Sequence, residues 1–231
     1  SKFDEYQRKF ISNVSHDFRS PLTSIRGYVQ AMVDGVIPPE SQQKYLDIIL
    51  FETDRLTKLT SNLLDVNNFD KDNIFLDISR FNLHDSIRKT AGALEGVAAK
   101  KDIHFDLELS DTEPLWVSGD KDKIQQVLHN LMDNAVKFSH EGSSILISTR
   151  EKGNRVFVSV KDSGIGIPKD DLGKIFERFY KTDLSRGKDK LGTGLGLSIC
   201  KEIITAHKQN LDVVSTEGVG SEFVFTLTKE T

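Results

Sequence analysis

Phe10-Ile11-Ser12-Asn13-Val14-Ser15-His16-Asp17-Phe18-Arg19-Ser20-Pro21-Leu22-Thr23-Ser24-Ile25 has a helical period with one histidine set off its apolar side. At about 100° per residue, Phe3, Phe10, Val14, Phe18, Pro21, Leu22, Ile25, Val29 and Met32 fall within one stripe, and His16 points to the opposite side. Pro21 removes a backbone donor in mid-helix and clashes with the preceding turn at roughly 3 kcal/mol, so a local distortion is predicted there. Ser20, one turn beyond His16, falls on the same outer face. An imidazole, a carboxylate (Asp17) and a hydroxyl thus stand beside a distorted turn. A lone outward histidine is also what a plain solvated surface looks like, so its reading depends on motifs further along.

Beyond Met32 a turn is predicted at Asp34, Gly35, Pro38 and Pro39, after which Tyr45, Ile49, Leu56, Leu59 and Leu63 form a second apolar stripe. The two make a helical hairpin of about 65 residues. Two helices cannot enclose both stripes, so the hairpin is expected to pair with its own copy as a four-helix bundle; packing of both stripes on the rest of the same chain is the alternative. The run from Asn67 to Asn73 (Asn67, Asn68, Asp70, Lys71, Asp72, Asn73) is polar and reads as a linker. The expected division is therefore residues 1–66 as hairpin, 67–73 as linker and 74–231 as a second domain.

Across 231 residues, 37% hydrophobic content supports ordinary globular cores, and a net charge of −4 gives no electrostatic reason to expect nucleic acid. The one cysteine, Cys200, lies in an apolar-periodic helix, reads as a core residue and favours a reducing compartment. No stretch approaches the roughly 18 apolar residues of a membrane span. The charged start has no signal-peptide apolar region. The chain also begins inside a helical pattern without a capping signal, so an upstream sensor segment is expected, and any membrane attachment would come through it.

The second domain mixes periods. Strand-like runs are predicted at 74–81, 103–109, 144–150, 155–161, 211–215 and 222–228, with helices near 83–100, 121–138 and 195–206. This is an α+β sandwich with helices on one face of a mixed sheet.

Three motifs carry its chemistry. In Asn130-Leu-Met-Asp-Asn134-Ala-Val-Lys137-Phe138, four-residue spacing puts both asparagines on one helix face beside Lys137, at the margin of the stripe Ile124, Val127, Leu131 and Phe138. Amide oxygens there suit magnesium, a hard cation that keeps water and substrate phosphates; capping or surface residues look the same in isolation. In Asp162-Ser-Gly164-Ile-Gly166-Ile-Pro168, after a strand, the glycines let main chain approach a flat ligand, and the carboxylate can accept from an exocyclic amine such as that of adenine. Leu191-Gly192-Thr193-Gly194-Leu195-Gly196 runs into a helix whose first N–H groups can receive phosphate oxygens. Between the last two, Phe176 to Lys190 is long and basic (Arg178, Lys181, Arg186, Lys188, Lys190), as a lid over polyphosphate would be. The histidines His84, His104, His129, His140 and His207 show no metal-ligand spacing and read as surface or packing residues, and no loop ends in Lys-Ser/Thr as a P-loop does.

The ordered set resembles the sensor histidine kinases of two-component signalling over almost the whole chain. The family's phosphoacceptor block matches His16 to Leu22, its asparagine box Asn130 to Ser139, its first glycine box Asp162 to Gly166, its phenylalanine box Phe176 to Tyr180 and its second glycine box Gly192 to Gly196; Gly218-Val-Gly220-Ser-Glu-Phe223 also fits. The resemblance implies a dimerisation and histidine-phosphotransfer hairpin followed by a Bergerat-type (GHKL) ATP-binding domain, the fold of gyrase, Hsp90 and MutL. It implies ATP and Mg2+ as cofactors, with Asn134 as the metal residue. Nucleotide contacts are implied for Asn130, Asn134, Lys137, Phe138, Asp162, Gly164, Gly166, Arg178, Tyr180, Lys181, Gly192, Thr193, Gly194, Leu195 and Gly196. His16 would take the γ-phosphoryl group with Asp17 fixing its tautomer, and pass it to an aspartate of a response-regulator receiver domain in trans. Family habit puts such a core on the cytoplasmic side of a membrane-anchored bacterial sensor.

Two departures matter. Asp17 stands where the family more often has glutamate, and Ser20 where threonine or asparagine often orients the water for regulator dephosphorylation. A serine lacks the rotameric restriction of threonine, so phosphatase activity follows less directly than kinase activity. Two other readings remain: a nucleotide-binding dimeric regulatory scaffold without efficient autokinase activity, and a gyrase-type ATP hydrolase. The latter needs a glutamate base where this chain has Asn130.

Overall fold

The computed structural model describes residues 2–68, 75–182 and 194–230, with side chains from residue 14 onward except those of 16, 17, 58 and 61–68. The chain forms two units divided after Asn68.

In the first unit, α1 (Lys2–Val33) leads through a turn to a short 3-10 helix (Pro39–Ser41) and then α2 (Gln42–Asn68). The turn closes as its residues predict. Gly35 is left-handed at φ 69°, and the N–H groups of Val36 and Ile37 both donate to Ala31 O, at 2.9 and 3.2 Å, capping the helix end. Proline at the start of the 3-10 helix costs nothing, since its missing N–H lies among the unpaired first donors. The expected distortion at Pro21 does not interrupt α1: the helix runs through it, the proline is buried, and Thr23 Oγ1 donates to Arg19 O at 2.8 Å. Loss of a single main-chain donor leaves the surrounding ladder standing. The polar run taken as a linker also starts later than predicted, because α2 includes Asn67 and Asn68; residues 69–73 lie outside the described residues.

Tyr28 and Tyr45 stack across the hairpin at 5.2 Å between ring centroids, while Leu22, Val29, Leu46, Leu50 and Phe51 stay between 43% and 63% exposed. One hairpin alone leaves much of its apolar surface in water.

The second unit is a seven-stranded mixed sheet with helices packed on it. Its strands are β1 (Ile78–Asn82), β2 (His104–Glu108), β3 (Trp116–Asp120), β4 (Ser144–Lys152), β5 (Arg155–Lys161), β6 (Leu211–Thr216) and β7 (Gly220–Lys229). Its helices are α3 (Leu83–Ala99), α4 (Lys121–Phe138) and α5 (Gly196–Ala206). The spatial order is β1-β3-β7-β5-β4-β2, and only β2 and β4 pair in parallel. β7 divides one edge between two partners, β6 along Gly220 to Phe225 and β3 at Thr228 and Lys229, and gives its other edge to β5. Alternate residues turn inward as a half-buried strand requires: Val156, Val158 and Val160 of β5, and Phe223, Phe225 and Leu227 of β7. They meet Ile124, Val127, Leu128 and Leu131 of α4 and Ile199 and Ile203 of α5 in the core. Asn82 caps α3 by accepting from His84 N at 3.1 Å, and Asp120 caps α4 by accepting from Lys123 N at 3.1 Å.

The first strand begins at Ile78 rather than 74, since Phe75 is 88% exposed and makes no ladder. β3 has no counterpart among the predicted strands. Cys200 is fully buried, its thiol pushed up to about 12 by burial, as a core residue should be. His84 is fully buried too, with Nδ1 3.0 Å from Glu113 Oε2 and Nε2 3.0 Å from Thr149 Oγ1. Bonds from Arg88 and then His84 lower the Glu113 carboxyl to about 2.

Candidate functional site

The helix pattern of α4 buries Ile124, Val127 and Leu131 and leaves Asn130 and Asn134 half-buried at the stripe's margin. Asn130 Nδ2 donates to Gly196 O at 3.4 Å, joining α4 to the first residue of α5. The Asn134 side chain makes no hydrogen bond among the described residues. Lys137, expected to face phosphate, instead pairs with Asp133 Oδ2 at 2.7 Å, one helical turn back. That pairing was visible as i,i+4 spacing.

Asp162 follows β5 and is buried. Its Oδ1 accepts from Gly164 N at 2.9 Å and Ser221 N at 3.3 Å, and its own N–H donates to Ser221 O at 2.8 Å. Burial pushes the carboxyl above its usual range, opposed by the two main-chain bonds and the nearby His140.

The glycines of this motif also pack closely within the fold. A Cβ on Gly164 would lie 2.3 Å from Phe138 O, and one on Gly166, at φ 65°, would lie 2.0 Å from Thr216 O. The close approach they permit is of the chain to itself. Ile165 N donates to Phe138 O at 3.2 Å and Gly218 N to Ile165 O at 2.7 Å, so this loop joins the end of α4 to the β6–β7 turn. Phe138 therefore supports the site with its carbonyl, its ring half-buried.

Arg178, expected among the phosphate-facing cations, is held in this structure by Glu202 of α5, with Nε at 2.9 Å and Nη2 at 2.7 Å from Oε1. Tyr180 Oη donates to Asp171 Oδ1 at 2.5 Å, and Lys181 is half-buried. Phe179 N donates to Gly194 O at 2.8 Å. Leu195 is buried and Gly196 begins α5, whose start no side chain caps among the described residues; such a helix start can receive an anion. Gly192, Thr193 and the basic residues Arg186, Lys188 and Lys190 lie outside the described residues. So do the side chains of His16 and Asp17, although both stand on α1; Ser20, one turn on, is exposed.

Two residues were given no role in the sequence. Ser221, which supplies an N–H to Asp162, stood only as part of the Gly218–Phe223 run. Glu202 had no signal, being one acid on an otherwise ordinary helix.

The second unit thus brings together two amides, a buried carboxylate and an open helix start, the parts of a nucleotide-binding ATPase domain. Residues 119–231 match the histidine kinase-, DNA gyrase B- and HSP90-like ATPase family, and residues 6–71 match the His Kinase A (phospho-acceptor) domain. The chain belongs to the histidine kinases, of which it contains both core domains.

It is 38% identical to the sensor histidine kinase WalK of Bacillus subtilis over 98% of this chain and 37% of that protein. The catalytic domain of histidine kinase ThkA is 36% identical and superposes with a TM-score of 0.59, over 66% of this chain and 96% of that one. ThkA in complex with the response regulator protein TrrA superposes with a TM-score of 0.78 at 31% identity, over 96% of this chain and 61% of that chain. The chain spans well under half the length of the WalK it matches.

Proposed function

We propose that this chain is the catalytic core of a two-component sensor, which transfers the γ-phosphoryl group of ATP to His16 and then to an aspartate of a response-regulator receiver domain. The observation that carries the reading is the Asn130 amide on the first residue of α5, in a unit that also holds Asn134 and the buried Asp162 and in a chain whose other unit matches a phospho-acceptor domain. In this reading Asp162 takes the adenine amine. The N–H groups of α5 take phosphate oxygens, with Lys181 and, once drawn from Asp133, Lys137 adding positive charge.

Asn134, with Asn130 beside it, would hold Mg2+: a half-buried amide with no other partner among the described residues is an oxygen ligand of the right hardness. An ion held there would supply positive charge against that of the phosphates. The protein's part is positioning. An unprotonated ring nitrogen of His16 attacks phosphorus, the N–P bond forms as the bond to the β-phosphate oxygen breaks, and ADP leaves with the electron pair. Asp17 holds the proton on the other ring nitrogen, stabilises the cation and accepts that proton as phosphohistidine becomes neutral.

The apolar residues left exposed on the hairpin support pairing with a second copy as a four-helix bundle. The ThkA–TrrA complex supports a receiver-domain partner. Ser20 would place the water for regulator dephosphorylation. The family resemblance implies a cytoplasmic place in a membrane-anchored protein; among the described residues no helix is long and apolar enough to cross a membrane.

Incubation with γ-labelled ATP tests the reading. Acid-labile, base-stable label that vanishes in His16→Gln is expected. Nucleotide binding without label would point to the scaffold, and steady ATP turnover without label to a hydrolase.

A further inference from the structure

We propose that Arg178 and Glu202 form a positioning pair for the nucleotide, holding the 176–182 segment against α5 so that Gly194 and the start of α5 stand ready before ligand arrives. The proposal rests on the ATP-binding reading above and goes beyond it by moving Arg178 from phosphate contact to support.

Two donors of one guanidinium meet a single oxygen, Glu202 Oε1, at 2.9 and 2.7 Å, and the two side chains are only 18% and 27% exposed. Solvent and salt screen such a pair less than a surface one. The other carboxylate oxygen, Oε2, is buried without a hydrogen bond, so Glu202 depends on Arg178 for its compensation.

The neighbouring α5 residue grips the same segment. Lys201 Nζ lies 5.3 Å from the centroid of the Phe176 ring, which packs edge-on to Phe223 at 6.5 Å, and it also donates to Leu211 O at 2.7 Å. Consecutive residues of α5 thus hold alternate residues of the segment.

Between them and the helix start lies a joint with no slack. Phe179 N donates to Gly194 O at 2.8 Å, and a Cβ on Gly194, at φ 69°, would lie 2.8 Å from Phe179 Cα. Arg178 is one residue from this joint. Glu202 is six residues into α5, about 9 Å along its axis. Freeing Arg178 releases the segment from the helix, and with it the main-chain contact that sets Gly194.

A double-mutant cycle on the full chain tests this, with affinity for a non-hydrolysable ATP analogue measured by calorimetry and autophosphorylation by single turnover. Arg178→Ala is expected to weaken the analogue about tenfold, with Glu202→Gln moving the same way. The double variant should be no worse than Arg178→Ala, and the exchange Arg178→Glu/Glu202→Arg should recover most of the loss. KM for ATP should rise while kcat at saturation holds, a split that general loss of structure would not produce. Should Arg178→Ala not fold, Arg178→Lys and Glu202→Gln carry the test, each with a smaller loss of affinity. Weaker binding in Arg178→Ala beside unchanged or tighter binding in Glu202→Gln would overturn the proposal, because Arg178 would then touch phosphate itself. Unchanged binding in both would also overturn it. An unmutated chain that fails to bind the analogue sinks the functional reading as well, and is distinguished by that.

Discussion

Gly166→Ala separates two uses of a glycine motif. At Gly166 the backbone is left-handed, which costs an alanine about 1–2 kcal/mol. The added Cβ would lie 2.0 Å from Thr216 O and 2.9 Å from Glu217 Cα, both closer than real Cβ contacts. The Thr216 peptide must therefore retreat by about 1 Å, an overpacking worth about 1–3 kcal/mol. Retreat pulls on the bonds that tie this loop to the β6–β7 turn, Gly218 N to Ile165 O at 2.7 Å and Ile167 N to Ser215 Oγ at 2.9 Å. Each contributes about 0.5–1.5 kcal/mol. Even the low ends together give about 3 kcal/mol, which for a unit of this size lowers the melting temperature by about 6–12 °C. The assay is thermal unfolding followed by circular dichroism without nucleotide, with amide exchange at Gly218 as the local reporter. A melting temperature within about 1 °C of the parent, accompanied only by weaker nucleotide binding, would refute the reasoning. The glycine would then serve approach to a ligand rather than to Thr216.

Two further outcomes follow from the same geometry. Burial raises the Asp162 carboxyl, so the folded chain binds its proton more tightly than the unfolded chain. The stability from this group is complete below the unfolded value and is lost as pH rises through the higher folded one. Asp162→Asn keeps an oxygen for Gly164 and Ser221 and removes that loss, so at neutral pH the nucleotide-free melting temperature should hold or rise while ATP affinity falls about tenfold. In the parent chain, ATP affinity should decline on acidification beginning above the usual carboxylate range, and calorimetry across pH checks both. His207 accepts from Asp120 N at 2.9 Å and donates to Ile203 O at 2.8 Å, tying α5 to the start of α4. His207→Phe fills the space but strands the N–H, at about 1–3 kcal/mol, read as a lower urea midpoint; an unchanged midpoint would show that water takes its place.

Periodicity exposed α1 and α2, whose apolar residues recur at helical spacing, α4, which buries one face continuously, and β5 and β7, whose alternation of inward valine, phenylalanine and leucine is regular. β3 escaped because Trp116-Val117-Ser118-Gly119-Asp120 offers two apolar residues and a glycine, and owes its strand state to β1 and β7. The asparagine and glycine motifs were visible as candidates, since their chemistry is local: amides four apart, a carboxylate after a strand, glycines before a helix. Their partners were not. Gly166 and Thr216 are fifty residues apart and meet only through the sheet.

By itself, then, the sequence determined the helical or strand period of every α-helix and strand but β3, and which residue types are grouped for phosphate chemistry, because these depend on spacing within a few turns or one strand. Only the tertiary structure decided that the glycines seat against Phe138 and Thr216 and that Arg178 pairs with Glu202. A charge or a missing Cβ acts on whatever the fold brings within a few ångströms, and that neighbour is set by packing among segments remote in the chain.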